Sequence, residues 1–348
     1  MELDDLVFKT SNWLKSKGPK SELVLSSRIR LARNLENLPF PHWAKKKDLL
    51  KIAQRIRPVL KKDSHFKNGI LVEMENLDSL DRDFLVERHL ISPEYERKEG
   101  RFLIIGEGEV ISIMVNEEDH LRIQVLESGL QLRDCWLLIN QLDEVLNEAI
   151  GFAFDADWGY LTACPTNLGT GMRASVMVHL PGLAITREIH KVLPALTKLG
   201  IVVRGFYGEG SEAKGNVFQI SNGATLGKSE EEIVAHMESL MKQLIGYEET
   251  ARKNLLSREK NSVENKVWRA YGILQNSRLL TSQESISLLS TLRLGVELSI
   301  VNLKMDLINE LDVLTLPAHI QKIMGKSLSP QERDRARGKL VRDRLKKE

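Results

Sequence analysis

Between Val110 and Leu126, apolar and polar residues alternate in two short runs, Val110-Ile-Ser-Ile-Met-Val115 and Leu121-Arg-Ile-Gln-Val-Leu126, which is the period of strands. The five residues between them, Asn116 to His120, are polar and of hairpin length, so the strands are predicted antiparallel. The period then changes. Leu132, Trp136, Ile139, Leu142, Leu146 and Ile150 fall at helical spacing, and the helix is predicted to end near Gly151. Beyond a loop with Pro165 and three glycines, Arg173–Leu180 predicts a strand and Ile185 to Leu199 a helix stopped by Gly200. Ile201–Tyr207 and Val217–Ser221 predict two more strands, with a polar, Gly-rich and mobile loop from Gly208 to Asn216 between them.

After residue 228 strand patterns become scarce. Ser229-x-x-Glu232 is a capping box, and Ile233, Met237, Leu240 and Leu244 continue a helical stripe behind it. Thr281-x-x-Glu284 opens another helix, and Ser329-Pro330-Gln331-Glu332 opens the last with a cap, a proline at the first helical position and a glutamate at the third. The expected class is α+β, an antiparallel sheet flanked by helices, with an all-helical C-terminal part. The expected boundaries are a helical arm over 1–20, a catalytic α+β domain over 21–250 and a helical domain over 255–348. Two glycine patterns fail on detail. Gly223 to Ser229 has three residues between its glycines where a P-loop needs four, and Gly169 to Ala174 leads into a strand, not the helix of a dinucleotide fold.

Composition narrows the setting. In 348 residues, 50 basic side chains nearly cancel 48 acidic ones, so global charge gives no reason to expect nucleic acid or an anionic membrane as partner. The two cysteines, Cys135 and Cys164, make no disulfide framework and favour a cytoplasmic location. The N-terminus, with Glu2, Asp4 and Asp5, lacks the basic start and apolar core of a signal peptide, and no apolar run is long enough for a membrane span.

Candidate chemistry lies in the arginines. Arg28 and Arg30 fall on one side of an extended segment, Arg122 and Arg204 lie in predicted strands, and Arg173 opens one after the glycine loop. Arginines placed where a strand would be apolar need anions, and the guanidinium fork suits phosphate oxygens, so a convergent triphosphate site is expected. Asn116-Glu117-Glu118-Asp119-His120 puts three carboxylates in one turn, where they can grip a cationic acceptor or Mg²⁺. Glu209 is a second candidate carboxylate. Cys164-Pro165 in a loop places a thiol where cations can stabilise its thiolate.

Together Ser26 to Arg30, Asn116-Glu-Glu-Asp-His-Leu-Arg122, Cys164-Pro-Thr-Asn-Leu-Gly-Thr170 and Arg204-Gly-Phe-Tyr-Gly-Glu209, in this order, resemble the phosphagen (guanidino) kinase family. The resemblance implies Mg-ATP as phosphoryl donor, with no metal site of the protein's own. It implies ATP contacts from Ser26, Ser27, Arg28, Ile29, Arg30, His89, Arg122, Arg173, Ala174, Ser175, Val176, Met177, Arg204, Gly205, Phe206, Tyr207, Gly208 and Glu209. Glu118 and Glu209 would clamp the acceptor guanidinium, with Glu118 as base, and Cys164 would sit beside it.

The first arginine motif starts at residue 26, without the long helical domain that precedes it in the animal enzymes for free guanidino compounds, and a helical extension follows instead. This layout resembles the bacterial protein arginine kinases of the McsB type, which mark proteins for Clp-dependent degradation in the stress response. Protein substrates, an activator protein, the Clp machinery and a homodimer through the C-terminal helices are the partners so implied. Arg333, Asp334, Arg337 and Gly338 resemble that family's phosphoarginine-binding motif, which carries Ala where this chain has Gly338. Arg333 and Arg337 share a helix face and would repel by a few tenths of a kcal/mol until a phosphate arrives. A kinase of free arginine and a non-catalytic phosphoarginine-binding adaptor are the alternatives.

Overall fold

The computed structural model describes residues 3–205 and 213–347. Its strands are β1 (Val24–Arg33), β2 (Ile70–Glu73), β3 (Phe102–Ile105), β4 (Ile111–Val115), β5 (Leu121–Ser128), β6 (Phe154–Asp155), β7 (Gly159–Tyr160), β8 (Met172–His179), β9 (Ile201–Gly205) and β10 (Val217–Asn222). Its helices are α1 (Lys46–Lys62), α2 (Ser79–Glu87), α3 (Leu132–Ile150), α4 (Pro181–Ile185), α5 (Ile189–Lys198), α6 (Glu230–Asn276), α7 (Ser282–Glu297), α8 (Met305–Leu314), α9 (Pro317–Met324) and α10 (Pro330–Leu345).

Eight strands form one sheet in the order β2-β3-β4-β5-β1-β8-β10-β9, with every neighbouring pair antiparallel. Period-two alternation gives this sheet two unlike faces. Ile29 and Leu31 of β1, Ile123 and Val125 of β5, and Ala174 and Val176 of β8 are fully buried in the main core, with Ile139, Leu142 and Leu146 of α3 and Met237 and Met241 of α6. Each such Leu, Ile or Val contributes about 1.5–3 kcal/mol by leaving water. The alternate positions, Arg28, Arg30, Arg122, Gln124 and Arg173, point to the other face.

The expected β4–β5 hairpin and α3 are present, and the segment after Gly171 is a strand. The helix expected over 185–199 is α5, which begins only at Ile189 and follows the separate short helix α4. Arg187 adopts a left-handed conformation (φ 63°) and Thr186 Oγ1 donates to Gly182 O at 2.9 Å, which ends α4 before α5 begins. Helix α6 opens on the expected Ser229 cap and runs 47 residues through the 250–255 region, with non-helical torsions at Glu259. Its early residues, to Ala251, belong to the main core, and those from Leu255 belong to a second core with α7, α8 and α10. Between the two cores lies a buried charge network. Glu248 accepts from Gly182 N (2.7 Å), Leu183 N (2.9 Å) and Arg252 Nε (2.6 Å), and Glu297 pairs with Arg252 and Arg293. The N-terminal arm wedges Trp13 and Leu14 between Leu126 of β5 and Val313 of α8.

Candidate active site

The polar face of the sheet is the floor of a cleft of about 560 Å³, within the usual range for a small-molecule site. Arg30 sits directly opposite Arg173 on one side and Gln124 on the other, and Arg122 is one row on, opposite Ala32. Arg28 stands opposite Ser175, and its Nε donates to Ser175 Oγ at 3.4 Å. Arg28, Arg30, Arg122, Arg173 and Arg204 all line the cleft, together with His89, Glu118, Cys164 and Gly205.

Positive charge in this floor is left uncompensated. Burial, Arg122 and Arg173 lower the Arg28 guanidinium to about 10. Burial, then Arg28, Arg122 and Arg173, hold Arg30 well below its ordinary value, against a weaker pull from Glu117. Arg173 is lowered by burial, Arg204 and Arg122. Guanidinium groups keep their protons in proteins, so the depression expresses crowding that a bound anion would relieve. Among the described residues only Arg122 of the five has a carboxylate partner, Glu117, at 3.0 Å. His89 is pushed down to about 3 by burial and by Arg28, so its ring is neutral and adds no further charge.

The β4–β5 turn divides its carboxylates. Asn116 opens it in a left-handed conformation (φ 62°) and anchors it by donating to Leu49 O (2.9 Å) and Gly100 O (2.8 Å). Glu117 receives Arg122 and Ser92 Oγ (2.5 Å). Burial raises its carboxyl, but Arg122 and Ser92 outweigh that and hold it below its ordinary value. Asp119 is buried and accepts from Asn34 Nδ2 (2.6 Å) and Ala163 N (2.7 Å), which ties the turn to the cysteine loop. His120 is held between Leu35 N and Pro39 O, each at 2.9 Å. Glu118 alone projects exposed into the cleft, with no hydrogen bond among the described residues. Its carboxyl is raised by partial burial and then by Asp119 and Glu117.

Cys164 lines the same cleft as Glu118, at the start of a short turn, with Sγ 3.0 Å from Thr166 Oγ1. Its loop is braced by Thr162 Oγ1 donating to Cys164 O (2.8 Å) and by Thr225 Oγ1 donating to Leu168 O (2.7 Å). Cys135, by contrast, is buried in α3 with its thiol pushed far up by desolvation.

Several expected ATP contacts lie elsewhere. Ile29, Ala174 and Val176 point into the hydrophobic core, because each alternates along its strand with the positions that carry Arg28, Arg30 and Arg173. Met177 packs with Leu25 and Val217. Ser27 Oγ is consumed by Gly129 O (2.7 Å) and Gln131 N (2.9 Å), and Ser26 is buried between β5 and β8. Phe206, Tyr207, Gly208 and Glu209, and the loop expected from Gly208, fall on residues 206–212, outside the described residues. Sequence reasoning missed Ser92, Gln124 and Gln219 as cleft residues. Gln124 was legible, since it shares Arg122's side of β5.

In α10, Arg337 is buried and its donors go to Thr315 O (2.6 Å), Leu280 O (2.7 Å) and Asp334 Oδ1 (2.7 Å). Arg333 donates to Leu328 O at 3.0 Å. Gly338 has a packing reason: a Cβ there would meet Ser277 O at 3.0 Å and Arg278 O at 3.1 Å.

An arginine-floored cleft on an antiparallel sheet, with a cysteine loop and an acidic turn at its rim, defines a phosphotransferase of guanidino compounds. Residues 51–251 match the family "ATP:guanido phosphotransferase, C-terminal catalytic domain", and residues 260–348 match "Protein-arginine kinase McsB C-terminal domain". The fold resembles that of a lombricine kinase (TM-score 0.61, 25% identity, 73% of this chain and 72% of that one). It also resembles the duplicated taurocyamine kinase of Schistosoma mansoni (TM-score 0.61, 27% identity, 70% of this chain and 35% of that one). Curated relatives named protein-arginine kinase are 46% identical in Halothermothrix orenii, over 99% of both chains, and 46% identical in Bacillus subtilis, over 96% of this chain and 93% of the relative. The chain belongs to the protein-arginine kinase branch of the ATP:guanido phosphotransferases, and is an ATP-using enzyme of that class.

Proposed function

We propose that the chain transfers the γ-phosphoryl group of ATP to the guanidinium of arginine residues in proteins. The convergence of five arginines, four of them without a carboxylate partner among the described residues, carries this proposal. Arg28, Arg30, Arg122, Arg173 and Arg204 would hold the phosphates and stabilise charge spread over the equatorial oxygens of a loose transition state without reorganising. His89, which lines the cleft, would support the nucleotide end. Mg²⁺ would arrive on the triphosphate, as the family resemblance implies, and neutralise phosphate charge there.

The acceptor guanidinium is protonated, with a pKa above about 12, and is a poor nucleophile. Glu118, exposed in the cleft and with its carboxyl raised, is suited to accept a proton from it. As the N–P bond forms and the bond to ADP breaks, Glu118 takes that proton. Cys164 and Glu209 would hold the guanidinium in line with the γ-phosphorus. The chain's similarity to protein-arginine kinases over its whole length, and its McsB-type C-terminal part, support protein-borne arginine over free arginine as acceptor.

Further assignments follow from the same family. We propose two structural units, divided between Ala251 and Leu255 where the two cores separate. Phosphoarginine would be sensed near Arg333, Asp334 and Arg337. Exposed Trp268, Ile273 and Leu279 support a homodimer through the C-terminal helices. An activator protein, delivery of marked substrates to Clp proteases and a cytoplasmic site of action complete the proposal. No helix is long and apolar enough to cross a membrane among the described residues.

The test is incubation with Mg-ATP and an unfolded protein, followed by mass spectrometry under conditions that preserve acid-labile phosphoarginine. Modified arginine is expected on the protein. Rapid turnover of free arginine with none of the protein modified would replace this function with that of a small-guanidine kinase.

A further inference from the structure

The loop from Cys164 to Gly171 is the wall of two depressions, and the active-site cleft uses only one of its sides. Cys164, Thr166, Asn167 and Gly171 line the cleft, whereas Gly169 and Thr170 line a separate groove of about 270 Å³. That groove lies against the β6–β7 hairpin and the segment before α6. Its apolar side chains are Phe154, Trp158 and Leu226, with 60%, 54% and 47% of their surface exposed. Asp157 and Glu230 are its carboxylates and Lys228 is its cation. Two large aromatic side chains left open to water on one short hairpin are uncommon unless something covers them.

The groove is built rigidly. Gly159 (φ 72°) lies so close to Gly169 that a Cβ would meet Gly169 O at 2.5 Å, and Gly169 (φ 99°) lies so close to Thr225 that a Cβ would meet Thr225 O at 2.4 Å. Three backbone segments are thus stacked, pinned by Tyr160 N donating to Gly169 O (2.8 Å) and Thr170 N donating to Thr225 O (2.9 Å). Tyr160 is a fixed part of the lining, because the buried Arg33 guanidinium lies 3.5 Å from its ring centroid. Asp155 Oδ1 accepts from Asp157 N (2.9 Å) and Trp158 N (3.1 Å), which sets the hairpin turn.

Resting on the protein-substrate function proposed above, we propose that this groove binds the stretch of substrate polypeptide next to the target arginine and selects an apolar or aromatic residue there. Two observations identify this occupant. The groove shares its wall with the acceptor end of the cleft, so a chain whose arginine enters the cleft beside Cys164 passes over the loop to reach Trp158. The groove is also net acidic, with two carboxylates against one ammonium, and suits a segment rich in basic residues. Cys164 and Gly169 are five residues apart, which caps their separation at about 18 Å, and an extended peptide covers that in about five residues. The selected residue therefore lies within five positions of the arginine, on one side only. A free guanidino compound cannot reach the groove.

The test uses full-length protein, Mg-ATP and twelve-residue peptides, each with one arginine in a serine background, with phenylalanine placed at each of five positions on either side. For the wild type, phenylalanine at one or two positions on a single side is expected to raise kcat/KM about tenfold over the all-serine peptide, through a lower KM with kcat unchanged. Trp158→Ala and Phe154→Ala, both exposed, should erase most of that preference and leave the rate on the all-serine peptide unchanged. A preference that survives both substitutions, or a wild type indifferent to phenylalanine at every position while phosphorylating all peptides, overturns the groove. If no peptide is phosphorylated although ATP binds, the protein-substrate function itself falls, and the groove with it.

Discussion

Arg30 and Arg33 stand three residues apart on β1 and face opposite ways. On the helix-covered side, Arg33 is 1% exposed and fully occupied. Its Nε and Nη2 donate to Asp143, and its Nη1 donates to Ala32 O and Thr170 O, both at 2.9 Å. On the cleft side, Arg30 faces Arg28, Arg122 and Arg173, and the nearest opposing charge, Glu117, is already held by Arg122. The same division runs through the molecule. Arg88 is matched by Glu109, and Arg252 by Glu248 and Glu297, each inside the protein. Buried arginines that the fold has neutralised hold the structure together. Those it has left crowded are the ones proposed to hold the nucleotide's phosphates. Glu118 is the acidic counterpart of Arg30, since its neighbours Glu117 and Asp119 are engaged and it is not.

The largest expected effect tests that last point. Glu118→Gln should lower phosphoryl transfer by about 10²–10⁴-fold, the usual value of a general base. ATP affinity by calorimetry and the denaturation midpoint should stay near wild type. Equal loss of ATP binding would show that Glu118 belongs to the nucleotide site. The pH profile provides a second check. Glu118 must be ionised to accept a proton and its carboxyl is raised, so kcat/KM should climb with pH, with an acid limb centred above the ordinary glutamate value of about 4.3.

Next in size is the neutralised side. Asp143→Ala leaves the Arg33 guanidinium buried without its anion and should destabilise the protein by about 3–5 kcal/mol in urea titration. A loss below about 1 kcal/mol would mean that the pair is dispensable and that the contrast with Arg30 is overdrawn. Arg30→Met is the reciprocal experiment. It removes one of four crowded cations, so without nucleotide the protein should be as stable as wild type or more so, while ATP affinity falls at least tenfold. Destabilisation without nucleotide would place Arg30 among the structural arginines.

Much of this contrast was legible in the sequence, for a physical reason. Strand alternation has a period of two, so once Arg28 and Arg30 were assigned to one side, Ile29 and Leu31 had to lie on the other. The hairpin, α3 and the Ser229, Thr281 and Ser329 caps depend on neighbours within four residues and were equally readable. Three things were not. The break at Arg187 follows from one left-handed residue that no apolar period announces. The length of α6 was hidden because its stripe changes partners, from the main core to the second, and so never keeps one face. The division of labour among Glu117, Glu118 and Asp119 depends on Arg122, Ser92, Asn34 and Ala163, which lie from five to 85 positions away. Motif resemblance supplied Ile29, Ala174 and Val176 as nucleotide contacts, while alternation already pointed them into the core.

The smallest expected effect concerns Gly338, where resemblance and packing part company. Alanine at this helical position gains about 1 kcal/mol of propensity over glycine. Against that, its methyl would press on Ser277 O and Arg278 O, backbone atoms that cannot swing aside as a side chain would. Ser277 O is further fixed by Arg342, and the same loop supplies Leu280 O to Arg337. Overpacking of this kind costs about 1–3 kcal/mol. The contact should therefore outweigh the propensity, and Gly338→Ala should destabilise the full-length protein by about 1 kcal/mol in urea. Stabilisation instead would mean that the loop yields to the methyl, and that Arg337 is less firmly committed to its carbonyls than Arg33 is to Asp143.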